Sequence, residues 1–263
     1  MSSGRAAADR VGPVDRQLLF VVGLARSGTT ALTELLSTHP EIALGMERYK
    51  RLMLRRASVE LRPSLFEPAR FFDFTDGLTN ITPDASPRWD AYYRHLAEGY
   101  DTATYVGDKV TGVRVRMILQ RFPAARVVVI VRDLVEVAAS WQRRADDPTD
   151  AGWREAWDAQ EAAVQWNRGL RQLLRMFDLA TGRIRVVEYR TLFGDPSGRS
   201  IHRTFDWLGL PASPAADTAF DQMHSRYARD LRDRAPELAP TERDAVATMA
   251  DLEAWRAALR LVD

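Results

Sequence analysis

The chain of 263 residues contains no cysteine, so composition excludes disulfides, thiolate nucleophiles and cysteine-based zinc sites together. Its four histidines, His39, His95, His202 and His224, are scattered without metal-ligand spacing, and no metal is expected. No apolar run approaches the roughly 20 residues that a bilayer-spanning helix needs, and the first ten residues lack the apolar centre of a secretion signal. These absences predict a cytoplasmic protein with no membrane span. Charge of one sign is also lacking: the net value is +1, and basic residues are not interleaved with aromatics, so no nucleic-acid partner is expected. Lysine is the scarcest reactive side chain, because the 37 basic residues include only Lys50 and Lys109. In a chain that uses arginine almost everywhere, a lysine marks a position where a planar guanidinium does not serve.

What is present is enough for one sizeable α/β domain and short for two, with 46% hydrophobic residues. Residues 1–15 are small and polar, and a flexible N-terminus is expected there, followed by a single domain over 16–263. Strands are expected at 18–23, 42–44, 104–107, 126–131 and 184–187, and helices at 29–38, 113–122, about 152–179 and from Thr241 onward. The run Arg126–Val131 is apolar throughout, as in a parallel strand buried on both faces. Trp153 and Trp157 fall on the helical repeat of 152–179 and read as core. After the basic residues of 48–62, a Pro- and Phe-rich stretch to Pro87 shows no clear period, and 48–100 read as helices and loops forming a lid or acceptor wall.

Two stretches carry chemistry. Leu18 to Thr30 is an apolar strand running into a glycine loop, with Gly23 and Gly28 at phosphate-loop spacing and Thr30 in the Ser/Thr position. Thr29 stands where the lysine that reaches a triphosphate belongs, while Arg26 places a cation earlier in the loop. Such a helix start favours a phosphate, and the missing lysine argues against ATP. The second stretch, Arg126 to Trp141, is a buried strand followed at once by a helix, with Arg132 at the strand end and Ser140 eight residues later. A competing role for its Arg-Asp pair is helix capping by Asp133.

The string Gly23-Leu-Ala-Arg26-Ser27-Gly28-Thr29-Thr30 resembles the phosphosulfate loop of sulfotransferases that use 3′-phosphoadenosine 5′-phosphosulfate (PAPS). Arg132 and Ser140 are similar in spacing to that family's 3′-phosphate motif. Ile184 to Leu192 and Phe205 to Leu210 are weaker echoes of its late strand and of the helix that follows, with Tyr189 at a nucleotide-facing tyrosine but Arg190 and Thr191 departing from the acidic pattern. The likeness covers about residues 17–210. It implies a three-layer α/β/α fold with a mostly parallel central sheet, of the P-loop-like sulfotransferase type. It also implies PAPS as donor, no metal, a small-molecule or glycan acceptor, and a donor site of Arg26, Ser27, Gly28, Thr29, Thr30, Arg132, Ser140 and Tyr189.

Sulfuryl transfer needs a cation on the bridging oxygen and a base at the acceptor hydroxyl. Lys109, expected just past a strand end, resembles the family's lysine; its competing role is a salt bridge to Asp108 or another acid. Thr111 stands where one branch of the family keeps a histidine. Glu47 matches the glutamate that other branches use as base, its competing role being a helical pair with Lys50 or Arg51. His95 is the next candidate base. The cluster Arg48, Lys50, Arg51, Arg55, Arg56 and Arg62 reads either as a guide for an anionic acceptor or as a solvated face. The alternatives to a PAPS-dependent sulfotransferase are a P-loop kinase of small molecules and a non-catalytic nucleotide-binding module.

Overall fold

The computed structural model describes residues 16–54, 61–150, 152–233 and 238–262. The expected N-terminal tail over residues 1–15, and Arg55 and Arg56 of the basic cluster, lie outside them. Five strands, β1 (Gln17–Gly23), β2 (Ile42–Met46), β3 (Tyr105–Thr111), β4 (Arg126–Val131) and β5 (Ile184–Glu188), form one sheet in the order β2-β3-β1-β4-β5. Every strand pair is parallel. All strand C-termini therefore point to the same edge. The chain reverses its direction of sheet growth after β3, and the crevice beside such a switch is where open α/β sheets bind ligands.

The helices are α1 (Thr29–Leu36), α2 (Lys50–Leu54), α3 (Pro68–Phe71), α4 (Pro87–Gly99), α5 (Val115–Arg121), α6 (Leu134–Ala145), α7 (Ala159–Leu179), α8 (Tyr189–Gly194), α9 (Arg199–Leu208), α10 (Pro214–Asp233), α11 (Pro240–Met249) and α12 (Leu252–Leu259). Alternation along β1 divides the core between the two faces of the sheet. Leu18, Phe20 and Val22 enter a cluster with α5, α6, α7 and the aromatic residues of 49–100, whereas Leu19 and Val21 pack with α1, α8, α9 and α10. The result is the expected three-layer α/β/α arrangement. Tyr49, Phe66, Phe71, Tyr93 and Tyr100 of the wall segment belong to the same cluster as Phe20 of the central strand.

Three expectations are corrected. The long helix begins at Ala159 rather than 152, because Asp158 caps it by accepting the Glu161 N–H. Trp153 and Trp157 lie before that helix and form an edge-to-face cluster with Trp141, half-buried against the core. The tail helix starts at Pro240, with Glu242 accepting the Ala239 N–H, so Thr241 is not its cap. The strand expected at 104–107 runs on to Thr111, since β3 is held on both sides by β1 and β2. Lys109 therefore sits inside a strand, near its C-terminal end.

Candidate active site

The phosphate loop turns between β1 and α1 through two left-handed residues, Arg26 (φ 73°) and Gly28 (φ 94°). Glycine is required at position 28, because a Cβ there would lie 2.5 Å from the Tyr189 ring. Arg26 adopts the same region with a side chain, and neighbouring groups hold it there. Its Nε donates to Ser140 Oγ at 2.9 Å, Arg132 donates to its carbonyl at 3.0 Å, and the Trp141 indole donates to the Ala25 carbonyl at 2.9 Å. Ser27 and Thr29 are buried, and the first-turn N–H groups of α1 have no carbonyl within the helix to accept them.

Asp133 caps α6 by accepting the N–H groups of Val135 and Glu136, so the capping role exists beside any ligand role of Arg132. Arg132 pairs instead with Glu136, at 2.6 Å, and its guanidinium lies 3.9 Å from the centre of the Tyr189 ring. Glu136, which sequence reasoning missed, is buried and also receives Arg190. The departure from the family's acidic turn at Arg190 thus supplies a second cation to this carboxylate. Arg26, Gly28, Thr29, Thr30, Arg132 and Tyr189 line one cleft of ≈ 390 Å³, together with Glu34, Arg88, Phe193, Met223, Arg226 and Tyr227. Burial and the like charges of Arg144, Arg132 and Arg143 lower the pKa of Arg26. That crowding favours an anion in the cleft.

On the other side of the loop, Glu47 follows β2 with a left-handed backbone (φ 54°) and points at the end of β3. Its Oε1 accepts Lys109 Nζ at 2.7 Å and the Thr111 hydroxyl, while Lys50 Nζ lies 2.7 Å from Oε2. The only two lysines of the chain converge on this one carboxylate. Lys109 also reaches Thr30 Oγ1 of the phosphate loop, at 3.3 Å, and so bridges the two sides of the site. Burial opposes the Glu47 charge, but Lys109, Lys50 and Thr111 prevail and hold its pKa down at about 2.

Asp108, one residue before Lys109, faces the other way and does not pair with it. Fully buried, it accepts the N–H groups of Arg48 at 2.9 Å and Tyr49 at 3.0 Å, which fixes the turn that presents Glu47. Burial pushes its pKa up to about 7. Arg48 is the second surprise. Neither a solvated residue nor an acceptor guide, it is fully buried and donates to the carbonyls of Arg70, Phe71 and Asp73 and to Asp76. The carbonyls at the end of α3 need donors, and Arg48 supplies them. Arg51 and Arg62 are exposed, as is His95 on α4.

A parallel α/β sheet thus carries a glycine loop at its switch point, beside a lysine-flanked carboxylate. A family model described as "Sulfotransferase family" matches residues 19–214, and the chain belongs to that family. A Caenorhabditis briggsae protein named "Putative protein-tyrosine sulfotransferase" is 26% identical over 203 residues, covering 75% of this chain and 67% of that protein. The sulfotransferase domain of the Synechococcus PCC 7002 olefin synthase superposes with a TM-score of 0.52 at 18% identity, over 99% of this chain and 98% of that domain. A mouse sulfotransferase complexed with PAP gives a TM-score of 0.51 at 11% identity, over 93% of this chain and 87% of that chain. These solved structures share the P-loop-like sulfotransferase fold with this chain. No helix among the described residues is long and apolar enough to cross a membrane.

Proposed function

We propose that the protein transfers the sulfuryl group of PAPS directly to the hydroxyl of a small-molecule or glycan acceptor. The observation that carries this reading is the convergence of both lysines of the chain on Glu47, with Lys109 reaching Thr30 of the phosphate loop at 3.3 Å. Membership of the sulfotransferase family displaces the kinase alternative, in keeping with Thr29 at the lysine position of the loop. The non-catalytic alternative gains nothing from a site that keeps both the carboxylate and the lysine.

The residues present fit such a donor. Gly28 leaves a cradle that any Cβ would fill, and the first-turn amides of α1 with Thr29 and Thr30 would hold the 5′-phosphosulfate. Arg132, and Ser140 through its contact with Arg26, would hold the 3′-phosphate, with Tyr189 as the apolar wall. The donor supplies an activated sulfur with PAP as leaving group. Glu47 takes the proton of the acceptor hydroxyl as the new O–S bond forms and the bond to the phosphate oxygen breaks. Lys109 places its ammonium near the oxygen that gains charge. A carboxylate with a pKa of about 2 is a weak base, and Lys109 is the larger part of what holds it there. As Lys109 turns to the leaving oxygen its grip on Glu47 loosens, and the proton affinity of the carboxylate rises when it is needed.

The test is a screen of sugars, sterols and phenols with sulfur-labelled PAPS. Transfer of label to an alcohol, with PAP released in equal amount, is the expected result. Label transferred to no acceptor, with PAPS left intact, would contradict it.

A further inference from the structure

A second cavity, of ≈ 310 Å³, shares no lining residue with the donor cleft. It opens on the α5–α7 face of the sheet, among Leu24, Gly112, Arg114, Gln165, Arg168 and Gln172. We propose that this cavity binds an oxyanion of the acceptor, a carboxylate, sulfate or phosphate, between Arg114 and Arg168. The assignment rests on the sulfuryl-transfer reading above, since it makes the cavity the far end of the acceptor site.

Position supports it. Thr111, whose hydroxyl donates to Glu47, immediately precedes Gly112, and the Gly112 N–H donates to the Gly23 carbonyl at 2.7 Å, at the start of the phosphate loop. Arg114 is the third residue after Thr111, a backbone span of at most roughly 11 Å. One small acceptor can therefore reach both ends.

Charge supports it as well. Several arginines of the chain have an acid, as Arg48 has Asp76, Arg132 has Glu136, Arg144 has Asp150 and Arg171 has Asp251. The side chains of Arg114 and Arg168, the latter exposed at the cavity mouth, have no ion-pair or hydrogen-bond partner among the described residues, and no carboxylate lines the cavity. The nearest acid on this face of α7, Glu161, accepts from the Gln165 amide at 2.6 Å. Arg114 is half-buried, its Nε shielded from water without an acceptor, and burial together with the charge of Arg168 depresses its pKa. Buried donors left without partners are rare because each costs stability. The amide oxygen of Gln172 is also buried without a partner and offers a place for a hydroxyl donor beside the anion.

The backbone is shaped to bring these groups together. Gly169, in the middle of α7, would place a Cβ 2.9 Å from Val113 Cγ2, so the helix approaches the loop after β3 this closely only with glycine. A glycine inside a helix is unfavourable relative to alanine. What it allows is the turn carrying Arg168 against the loop carrying Arg114.

The test uses inorganic phosphate as the probe, titrated calorimetrically into the PAP-saturated protein. Saturable binding is expected, at least about tenfold weaker in Arg114→Gln and in Arg168→Gln, with the PAP affinity of both variants within about twofold of wild type. In turnover, 4-hydroxyphenylacetate should be preferred over its amide by about tenfold in kcat/KM. That preference should vanish in the variants, which separates an acceptor subsite from a site for free anion only. No phosphate binding, or binding as tight in both variants as in wild type, overturns the proposal, as does an unchanged acid preference. Should PAP fail to bind wild type, the sulfuryl-transfer reading falls and the phosphate titration decides the cavity alone. Affinity lost with Arg114→Gln then supports it, and affinity lost only with Arg132→Ala overturns it.

Discussion

The groups on the donor side of the site lie in two short contiguous stretches, Gly23 to Thr30 and Arg132 to Ser140, each a strand end running into a helix. On the acceptor side the central pair, Glu47 and Lys109, is 62 residues apart in sequence and meets only because β2 and β3 lie side by side with Met46 opposite Lys109. A local motif brings its own geometry with it, whereas a pair made by strand register depends on whatever holds the two strand ends. Here the holder is Asp108, gripping two backbone amides. The donor side should therefore fail one contact at a time, and the acceptor side as a unit.

The largest separation of the two sides comes from Glu47→Gln, which keeps the size of the side chain and removes its charge. Turnover should fall by about 10²–10⁴-fold, the usual loss for a general base, with PAP affinity nearly unchanged. A parallel loss of PAP binding would show that the carboxylate belongs to the donor grip instead. Next is Arg132→Ala. It removes a charge-assisted contact of about 1.5–3 kcal/mol, or roughly 10–150-fold in donor affinity by calorimetry. Ser140→Ala should cost less, because its hydroxyl acts on Arg26. Equal losses from the two variants would break that ranking.

Asp108→Asn sharpens the unit-failure claim. Asparagine offers one acceptor oxygen where Asp108 presents two, so the turn bearing Glu47 loosens and kcat should fall with little change in the KM for PAPS. Asp108→Glu, which restores both oxygens, should recover part of the rate. Equal kcat in wild type and Asp108→Asn would remove Asp108 from the account.

The smallest effect is read in unfolding free energy against pH. The pKa of Glu47 is lowered from 4.5 to about 2, so its contribution is full above 4.5 and is lost as pH falls toward 2. That of Asp108 is raised from 3.8 to about 7, so its contribution is full below 3.8 and is lost as pH rises toward 7. Glu47→Gln should flatten the acid limb and Asp108→Asn the fall toward neutrality. Profiles unaltered by both substitutions would contradict the burial and pairing described here.

The same contrast explains how much could be read from the sequence. The phosphate loop, the strand before it and the Arg132–Ser140 spacing are contiguous patterns, and the structure gathers the loop, Arg132 and Tyr189 around one cleft, with Ser140 reaching it through Arg26. Glu47 and Lys109 were legible only through the resemblance and the rarity of lysine. The Glu47–Lys50 pair expected from the i,i+3 spacing is present, and the turn after β2 aims Lys50 back at Glu47 to complete the cluster. Asp108 and Lys109 interrupt the apolar run of β3, so the local pattern ends at 107; pairing with both neighbouring strands overrides it. The basic neighbours of Arg48 suggest a surface, whereas its partners at 70–76 are spread over a segment with no period. Glu136 stood one turn into a helix with nothing to distinguish it from a solvated acid until Arg132 and Arg190 were seen to close on it.

The central claim, that the donor side is built for a 3′-phosphorylated nucleotide, is tested most directly by calorimetric titration of the wild-type protein with PAP and, separately, with ADP. The two ligands share the adenine nucleotide frame, and only PAP carries the 3′-phosphate that Arg132 would hold. The expected result is PAP binding at least about tenfold tighter than ADP, a margin set by one charge-assisted hydrogen bond and abolished in Arg132→Ala. Equal affinity for PAP and ADP in the wild-type protein would contradict it.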